Sequence, residues 1–225
     1  ANYNAFSSVF KIIGKTMERN CLLIHHGLTT RGSEDRFCGF TDPPLSSQGQ
    51  TQMMELRDSL IEKHQALPSV WYVSDRRRSL ESFEILTAGS ATPVVRICER
   101  LREINFGDFE NLTWNELPLD FQQHYEQSIS QPLELTFPSG ESFKNLCDRV
   151  SNLFLEVLSY TEDDSSIGIV GHQGSLRVLT LLHENAPPSE FFKAVGSHSE
   201  AKWIKLDSNK IAKWRRKYLV REDKL

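Results

Sequence analysis

Short apolar runs alternate along the chain with longer stretches in which apolar residues recur every three or four positions. Parallel strands that are buried on both faces typically read as continuous apolar runs. These runs predict four strands, at residues 21–25, 69–73, 93–97 and 166–171, of which the first and the last are predicted to be buried. A stretch in which apolar and polar residues alternate, residues 201–206, predicts an edge or closing strand.

The longer stretches have the period of an amphipathic helix. They predict five helices, near residues 46–64, 76–88, 113–127, 141–160 and 174–184, the second of which ends at Gly89. Strands that alternate with helices indicate an α/β fold in which helices cover both faces of a mostly parallel sheet. We therefore expect a three-layer α/β/α arrangement with a mostly parallel central sheet.

The two ends of the chain carry weaker patterns. Residues 1–19 are predicted to be an N-terminal extension, because they lack the small-residue cleavage site and the positive charge of a targeting peptide. Residues 20–225 are predicted to form one domain, since no repeat or convincing linker interrupts them. The basic residues between Lys210 and Arg221 are expected to be a solvated surface, with contact to a partner or an anionic ligand as the alternative.

Composition narrows the classes of function. The chain has 225 residues and a net charge of −4, which argues against a general nucleic-acid binder. No apolar run approaches the length of a membrane span, so we expect no membrane partner. The four cysteines are scattered without a CxxC pair, which favours reduced thiols in a cytoplasmic protein over a disulfide framework or a zinc site. Monomer and homodimer both remain open.

Three of the predicted strands end in residues that suit phosphate binding. The strand at 21–25 leads into His25-His26-Gly27, and the strand at 166–171 leads into His172. The strand at 69–73 leads into Ser74–Arg78, which contains three consecutive arginines. Ligands of parallel sheets bind beyond the carboxyl ends of the strands, so these side chains converge if the strands are neighbours. Arginines and helix N-termini bind phosphate oxygens, and the pattern therefore predicts a phosphate site.

Strand geometry bears on the roles of the two adjacent histidines. Successive strand residues point to opposite faces of a sheet, so the rings of His25 and His26 are not expected to serve one centre. A two-histidine metal site needs a spacing such as HxH, and no carboxylate cluster lies nearby in sequence. We therefore predict no metal and no cofactor, and keep a metal hydrolase as a minor alternative. His26 and His172, each beside a glycine turn at a strand end, are the stronger candidates for chemistry.

These motifs resemble those of the histidine phosphatase superfamily, also called the phosphoglycerate mutase-like family. His26 takes the position of the nucleophile in the family's Arg-His-Gly element, and Arg78 matches the arginine of its S-x-x-x-R element. Glu103 matches the family's acid, and His172 its second histidine. Further matching segments are Arg36–Asp42, Leu45-Ser46 with Gly49, Leu101–Glu110 and Gly140–Ser142.

The resemblance implies a phosphoglycerate mutase-like fold and a metal-independent hydrolase of small phosphate monoesters. It implies that His26 attacks phosphorus to form a phosphohistidine, that Glu103 acts as general acid and then as general base, and that Arg78 and His172 hold phosphate oxygens. It also implies phosphate- or substrate-binding roles for five further residues: His25, Thr29, Arg36, Gly39 and Gln173.

Four positions depart from the family pattern: His25 replaces an arginine, Leu28 a glutamate, Gly32 an asparagine and Gln173 a glycine. Because a bidentate arginine contributes strongly to phosphate binding, two hypotheses stay open. One is a working phosphatase with a rebuilt pocket, and the other is a catalytically impaired protein that binds a phosphorylated ligand. Candidate replacements for the arginine are a protonated His25, Arg31, Arg76 and Arg77.

The segment after Glu103 bears on the type of enzyme. A phosphoglycerate mutase is less favoured, because the family's mutases carry a long insertion there, whereas Glu103–Gly107 runs directly into a predicted helix. This compact form is similar to the small-molecule phosphatases, including the α-ribazole phosphatases. Glu110 is expected to face water.

Overall fold

The computed structural model describes residues 17–63, 66–160, 165–193 and 199–220. The strands of the described part are β1 Glu18–His25, β2 Val70–Val73, β3 Val94–Ile97, β4 Ile167–Gly171 and β5 Ala201–Asp207. They form one sheet in the order β3-β2-β4-β1-β5. The first four run parallel, whereas β5 pairs with β1 in the antiparallel direction at one edge.

Helices cover both faces of this sheet. The α-helices of the described part are α1 Ser47–Glu62, α2 Arg77–Thr87, α3 Leu119–Ser128, α4 Phe143–Tyr160, α5 Gln173–Glu184 and α6 Ser208–Tyr218. Alternate residues of β1 divide between two apolar cores: Leu22 and Ile24 pack with α1 and α2, whereas Cys21 and Leu23 pack with α4, α5 and α6. This three-layer arrangement confirms the predicted α/β fold.

The predicted strands and most of the predicted helices are confirmed to within a few residues. β1 begins at Glu18, inside the segment that the sequence assigned to the N-terminal extension, and residues 1–16 lie outside the described part of the chain. The division into an extension and one domain stays a prediction. Gly89 follows α2 with a positive φ of 81°, which an L-residue rarely adopts.

The helix predicted near residues 113–127 is confirmed in its second part, but its beginning is wrong. A short 3-10 helix at Trp114–Glu116 is followed by Pro118, after which α3 begins. Proline disfavours helical backbone in the residue before it and donates no N–H, so Leu117 is extended and the two helical pieces stay separate. The acid segment therefore reaches α3 through short 3-10 turns and not through one continuous helix.

The basic C-terminal segment forms a helix that the sequence analysis did not predict. In α6, Ile211 and Trp214 are buried, and the Trp214 indole N–H donates to the carbonyl of Ala186 at 2.6 Å. The Asp207 carboxylate caps the first turn. Lys213, Arg216 and Lys217 remain exposed, so the solvated surface is one face of a packed helix.

The strand order brings the predicted phosphate-binding segments to one edge of the sheet. β4 lies between β2 and β1, with Gly171 opposite His25 and Val170 opposite Val73. The carboxyl ends of these three parallel strands therefore coincide. No helix among the described residues is long and apolar enough to span a membrane.

Candidate active site

His26 lies just beyond the end of β1, and its ring is held at both nitrogens. Its Nδ1 lies 2.8 Å from the carbonyl oxygen of Gly27, which can only accept a hydrogen bond. Its Nε2 lies 3.2 Å from Nε of Arg78, which can only donate one. The pattern assigns the proton to Nδ1 and leaves Nε2 as the acceptor.

His172 immediately precedes α5 and is almost completely buried, with 1% of its surface exposed. Its Nδ1 accepts from Nε of Arg78 at 3.2 Å, and its Nε2 donates to the Ser74 hydroxyl at 2.8 Å. Burial, followed by the charge of Arg78, holds the pKa of His172 well below its usual 6.5. His172 is therefore a neutral ring in this environment.

Arg78 joins the two histidines, because its single Nε hydrogen is shared between them. The side chain is 1% exposed. Its two terminal nitrogens donate to a row of carbonyls, those of Thr41 at 2.8 Å, Gly39 at 2.9 Å and Cys38 at 3.3 Å. Burial lowers the pKa of Arg78, yet a guanidinium keeps its charge throughout the working range of pH. The centre therefore holds a fixed cation between two neutral imidazoles.

The loop that supplies these carbonyls is organised by Glu110. Its carboxylate accepts from the backbone N–H groups of Gly39 at 3.2 Å, Phe40 at 2.8 Å and Thr41 at 3.0 Å, and from the Thr41 hydroxyl. The expectation that Glu110 faces water is therefore wrong. Gly39 passes so close to Ile104 that an added Cβ would overlap the Ile104 carbonyl oxygen. This close approach explains a glycine at that position.

Glu103 lines the same cavity as His26 and Arg78. Its carboxylate accepts from the N–H of Ile104 at 2.8 Å and from that of Gly174, in the first turn of α5, at 2.9 Å. A Cβ on Gly174 would overlap Oε1 of Glu103, so a larger residue there would displace the carboxylate from this position. The Arg149 guanidinium pairs with Glu141 and donates to the carbonyl of Glu103 at 2.9 Å. Sequence reasoning missed this support by Arg149.

These groups border a cavity of about 420 Å³. The predicted site residues that line it are His25, His26, Thr29, Arg36, Arg78, Glu103 and Gln173. The other two, Gly39 and His172, lie behind the wall and contact Arg78. Many of the other lining residues are aromatic, and the wall also contains Arg177, which the sequence analysis did not identify.

The two adjacent histidines share the cavity, contrary to the argument from strand alternation. Their ring centres are 4.6 Å apart in an edge-on contact, and both rings line the wall. β1 ends at His25, so His26 already lies outside the pleated strand and the alternation of faces does not extend to it.

The departures from the family pattern are coupled in space. A Cβ on Gly32 would lie 2.6 Å from Cδ1 of Leu28, so the leucine occupies the space that a side chain at residue 32 would need. The proposed arginine substitutes are engaged elsewhere: Arg31 with the Asn111 side chain, Arg76 with the carbonyl of Phe40, and Arg77 with Glu81. None of the three lines the cavity.

Over the described ranges of the chain, no group of three or more histidine, cysteine, aspartate or glutamate side chains is arranged to hold a metal ion.

Comparison with known proteins places this site in a family. The model of the histidine phosphatase superfamily (branch 1) matches residues 21–216. Phosphoglycerate mutase-like protein 4 of Arabidopsis thaliana is 28% identical over 169 residues, covering 75% of this chain and 71% of that protein. The metal-independent phosphoserine phosphatase of the same plant is 27% identical over 161 residues, covering 71% of this chain and 66% of that protein.

A solved structure gives the same picture for the fold. The crystal structure of the alpha-ribazole phosphatase from Shigella flexneri superimposes with a TM-score of 0.70 at 22% identity, covering 82% of this chain and 89% of that one. The α-ribazole phosphatases are among the compact phosphatases that the sequence of this protein resembles. Because the family model spans most of the chain, the protein belongs to the histidine phosphatase superfamily, branch 1.

Proposed function

We propose that the protein hydrolyses phosphate monoesters of small metabolites through a phosphohistidine at His26. The observation that carries this proposal is the single Nε hydrogen of Arg78, which Nε2 of His26 and Nδ1 of His172 share at 3.2 Å each. It holds His26 in the tautomer whose Nε2 carries no proton, which is the form that can attack phosphorus.

The remaining groups suit the other steps of the reaction. Arg78 supplies a fixed positive charge beside the nucleophile, where the phosphate oxygens would lie. Glu103 lines the same cavity, and its carboxyl group would protonate the leaving oxygen and then deprotonate the water that hydrolyses the phosphohistidine. His172 would hold Arg78 in place through its Nδ1, which accepts the Arg78 Nε–H.

The relatives support this class of reaction. One of them is named a metal-independent phosphoserine phosphatase, and the family model is that of the histidine phosphatases. We infer a small phosphorylated substrate, no nucleic-acid or membrane partner, and a monomer or homodimer. A cytoplasmic location is supported by the cysteines, all four of which are unpaired thiols.

Hydrolysis of p-nitrophenyl phosphate between about pH 4.5 and 8, on both sides of the ordinary histidine pKa of about 6.5, tests the proposal. We expect turnover by the wild type and loss of at least about a thousandfold in His26→Ala, because the nucleophile is removed. His124→Ala, which changes an exposed histidine on α3, is the matched control and should keep full activity. Undiminished turnover by His26→Ala would refute the nucleophile assignment.

A chelator separates this mechanism from that of a metal hydrolase. We expect dialysis against EDTA to leave the rate unchanged, because the proposed steps use only side chains. Loss of activity that zinc or magnesium restores would support the metal hydrolase. A complete lack of turnover on several phosphate monoesters, with phosphate binding retained, would favour the binding-protein hypothesis.

A further inference from the structure

Four aromatic residues of the cavity wall, Trp114, Tyr125, Phe191 and Phe192, form what we call the aromatic chamber. Its rings contact one another in series: Trp114 with Tyr125 at 5.2 Å between centres, Tyr125 with Phe192 at 5.5 Å, and Phe192 with Phe191 at 5.2 Å. The cavity of about 420 Å³ falls within the size range of small-molecule sites. A phosphate group held by Arg78 and His26 would leave most of this space for the rest of the substrate.

Arg177 is the basic side chain of this chamber. It lies on α5, one helical turn beyond Gln173, and its guanidinium carbon is 5.5 Å from the centre of the Phe191 ring. Burial lowers its pKa, and the charge of Glu103 opposes that effect. Burial raises the pKa of Tyr125, and the charge of Arg177 opposes that effect in turn. The Arg177 guanidinium therefore lies near the Glu103 carboxylate and near the Tyr125 ring of the chamber.

Arg177 differs from the other arginines that line the cavity. Arg36 pairs with Glu34 and Glu116, and Arg78 donates to backbone carbonyls. Within the described part of the chain, no hydrogen bond or ion pair reaches Arg177, and its Nε is fully buried without a partner. A partly buried guanidinium without an acceptor is costly, and a cation–π contact offsets only part of that cost.

We infer that Arg177 binds a carboxylate on the alcohol part of the substrate, and that the apolar or aromatic body between this carboxylate and the phosphate packs against the chamber wall. The inference rests on the proposed function. A carboxylate matches the site because its planar pair of oxygens fits the guanidinium fork. One guanidinium also balances one negative charge, and the rings around it offer little to stabilise a second.

The test compares 3- and 4-carboxyphenyl phosphate with the matching carbamoylphenyl phosphates. The amide has a similar shape but no charge, and it makes the phenolate a slightly better leaving group, so a preference for the carboxylate within a pair reports its recognition. For at least one ring position we expect the wild type to prefer the carboxylate by about tenfold or more, as for a charge-assisted pair. In Arg177→Gln that ratio should fall to within about twofold of unity, whereas Arg177→Lys should retain part of it.

Arg216→Gln, which removes an exposed charge on α6, is the control and should keep the wild-type ratio. The inference is overturned if the wild type shows no preference for the carboxylate, or if the preference survives in Arg177→Gln. It is also overturned if Arg177→Gln slows both members of each pair equally and shifts the pH profile, because Arg177 would then act through Glu103. Failure of the proposed function looks different: neither member of a pair is hydrolysed, or hydrolysis survives His26→Ala.

Discussion

His25 occupies the cavity wall beside His26, at the position where the family pattern has an arginine. We expect His25→Arg to raise kcat/KM for p-nitrophenyl phosphate near neutral pH by about tenfold, because arginine supplies a permanent cation with a fork of donors. His25→Gln is the matched control, since it keeps a hydrogen-bond donor without the charge, and it should show no gain.

A fall in activity in His25→Arg would contradict this expectation. It would mean that the edge-on contact between His25 and His26, with 4.6 Å between ring centres, has a specialised role. The phosphate pocket would then be adapted to histidine rather than weakened by it.

Individual site residues were predictable to the extent that short motifs encode them. His26, Arg78, Glu103 and His172 each stand in a recognisable local pattern, and the structure brings all four together around one cavity and its wall. Arg149 and Arg177 stand in no such pattern. Their importance depends on what α4 and α5 face after folding, which neighbouring residues in the sequence do not determine.

The loop of residues 38–41 likewise depends on contacts between residues that are distant in the sequence. Its carbonyls hold Arg78, while its N–H groups are held by Glu110. We expect Glu110→Gln to lower kcat/KM by about tenfold or more, because an amide nitrogen would face N–H groups that now donate to a carboxylate oxygen. The free energy of unfolding should fall by about 1–3 kcal/mol, measured by urea denaturation.

Glu84→Gln on α2 is the control for this prediction, because Glu84 is exposed and its loss of charge should change neither quantity. Equal activity in Glu110→Gln and the wild type would show that the loop holds Arg78 without help from the carboxylate.

Two helices show where pattern reading failed. The stretch near residues 113–127 has helical spacing, but Pro118 divides it, a local signal that the periodicity masked. α6 was read as a charged surface because basic residues dominate its sequence. The packing of Ile211 and Trp214 against the rest of the molecule makes it a helix, and that packing is a long-range contact.

At the scale of the whole molecule, hydrophobic patterns identified the strands but not their order. The convergence of the histidines and Arg78 was conditional on β1, β4 and β2 being neighbours, and the sheet satisfies that condition. The alternating residues of β5 reflect its two faces: Ile204 and Leu206 pack into the core, whereas the residue between them is exposed. Among the described residues β5 is an edge strand of the sheet, as the sequence predicted.

Burial of the neutral His172 ring, just beyond the carboxyl end of β4, makes the free energy of unfolding depend on pH. The pKa of His172 is lower in the folded protein than in the unfolded chain, where it is about 6.5, so below that pH the unfolded chain binds an additional proton. This contribution to stability is complete above about pH 6.5 and is lost as the pH falls, by up to about 1.4 kcal/mol per pH unit.

Urea denaturation at several values between about pH 5 and 7.5 measures this dependence, in a range above the ordinary carboxylate pKa values. The slope of the free energy of unfolding against pH should be smaller in His172→Gln than in the wild type, because other groups that titrate there are common to both proteins. Parallel curves for the two proteins would exclude this role of His172.

The shared hydrogen of Arg78 also determines how many protons move when phosphate is transferred. Arg78 keeps its proton, and the proton of His26 lies on Nδ1, directed at the carbonyl of Gly27. Under the proposed mechanism, no proton has to leave the nucleophile before its bond to phosphorus forms. The only proton transferred during that step passes from Glu103 to the departing oxygen. For a leaving group stable enough to depart as an anion, phosphoryl transfer would therefore proceed at nearly the same rate in heavy water as in ordinary water.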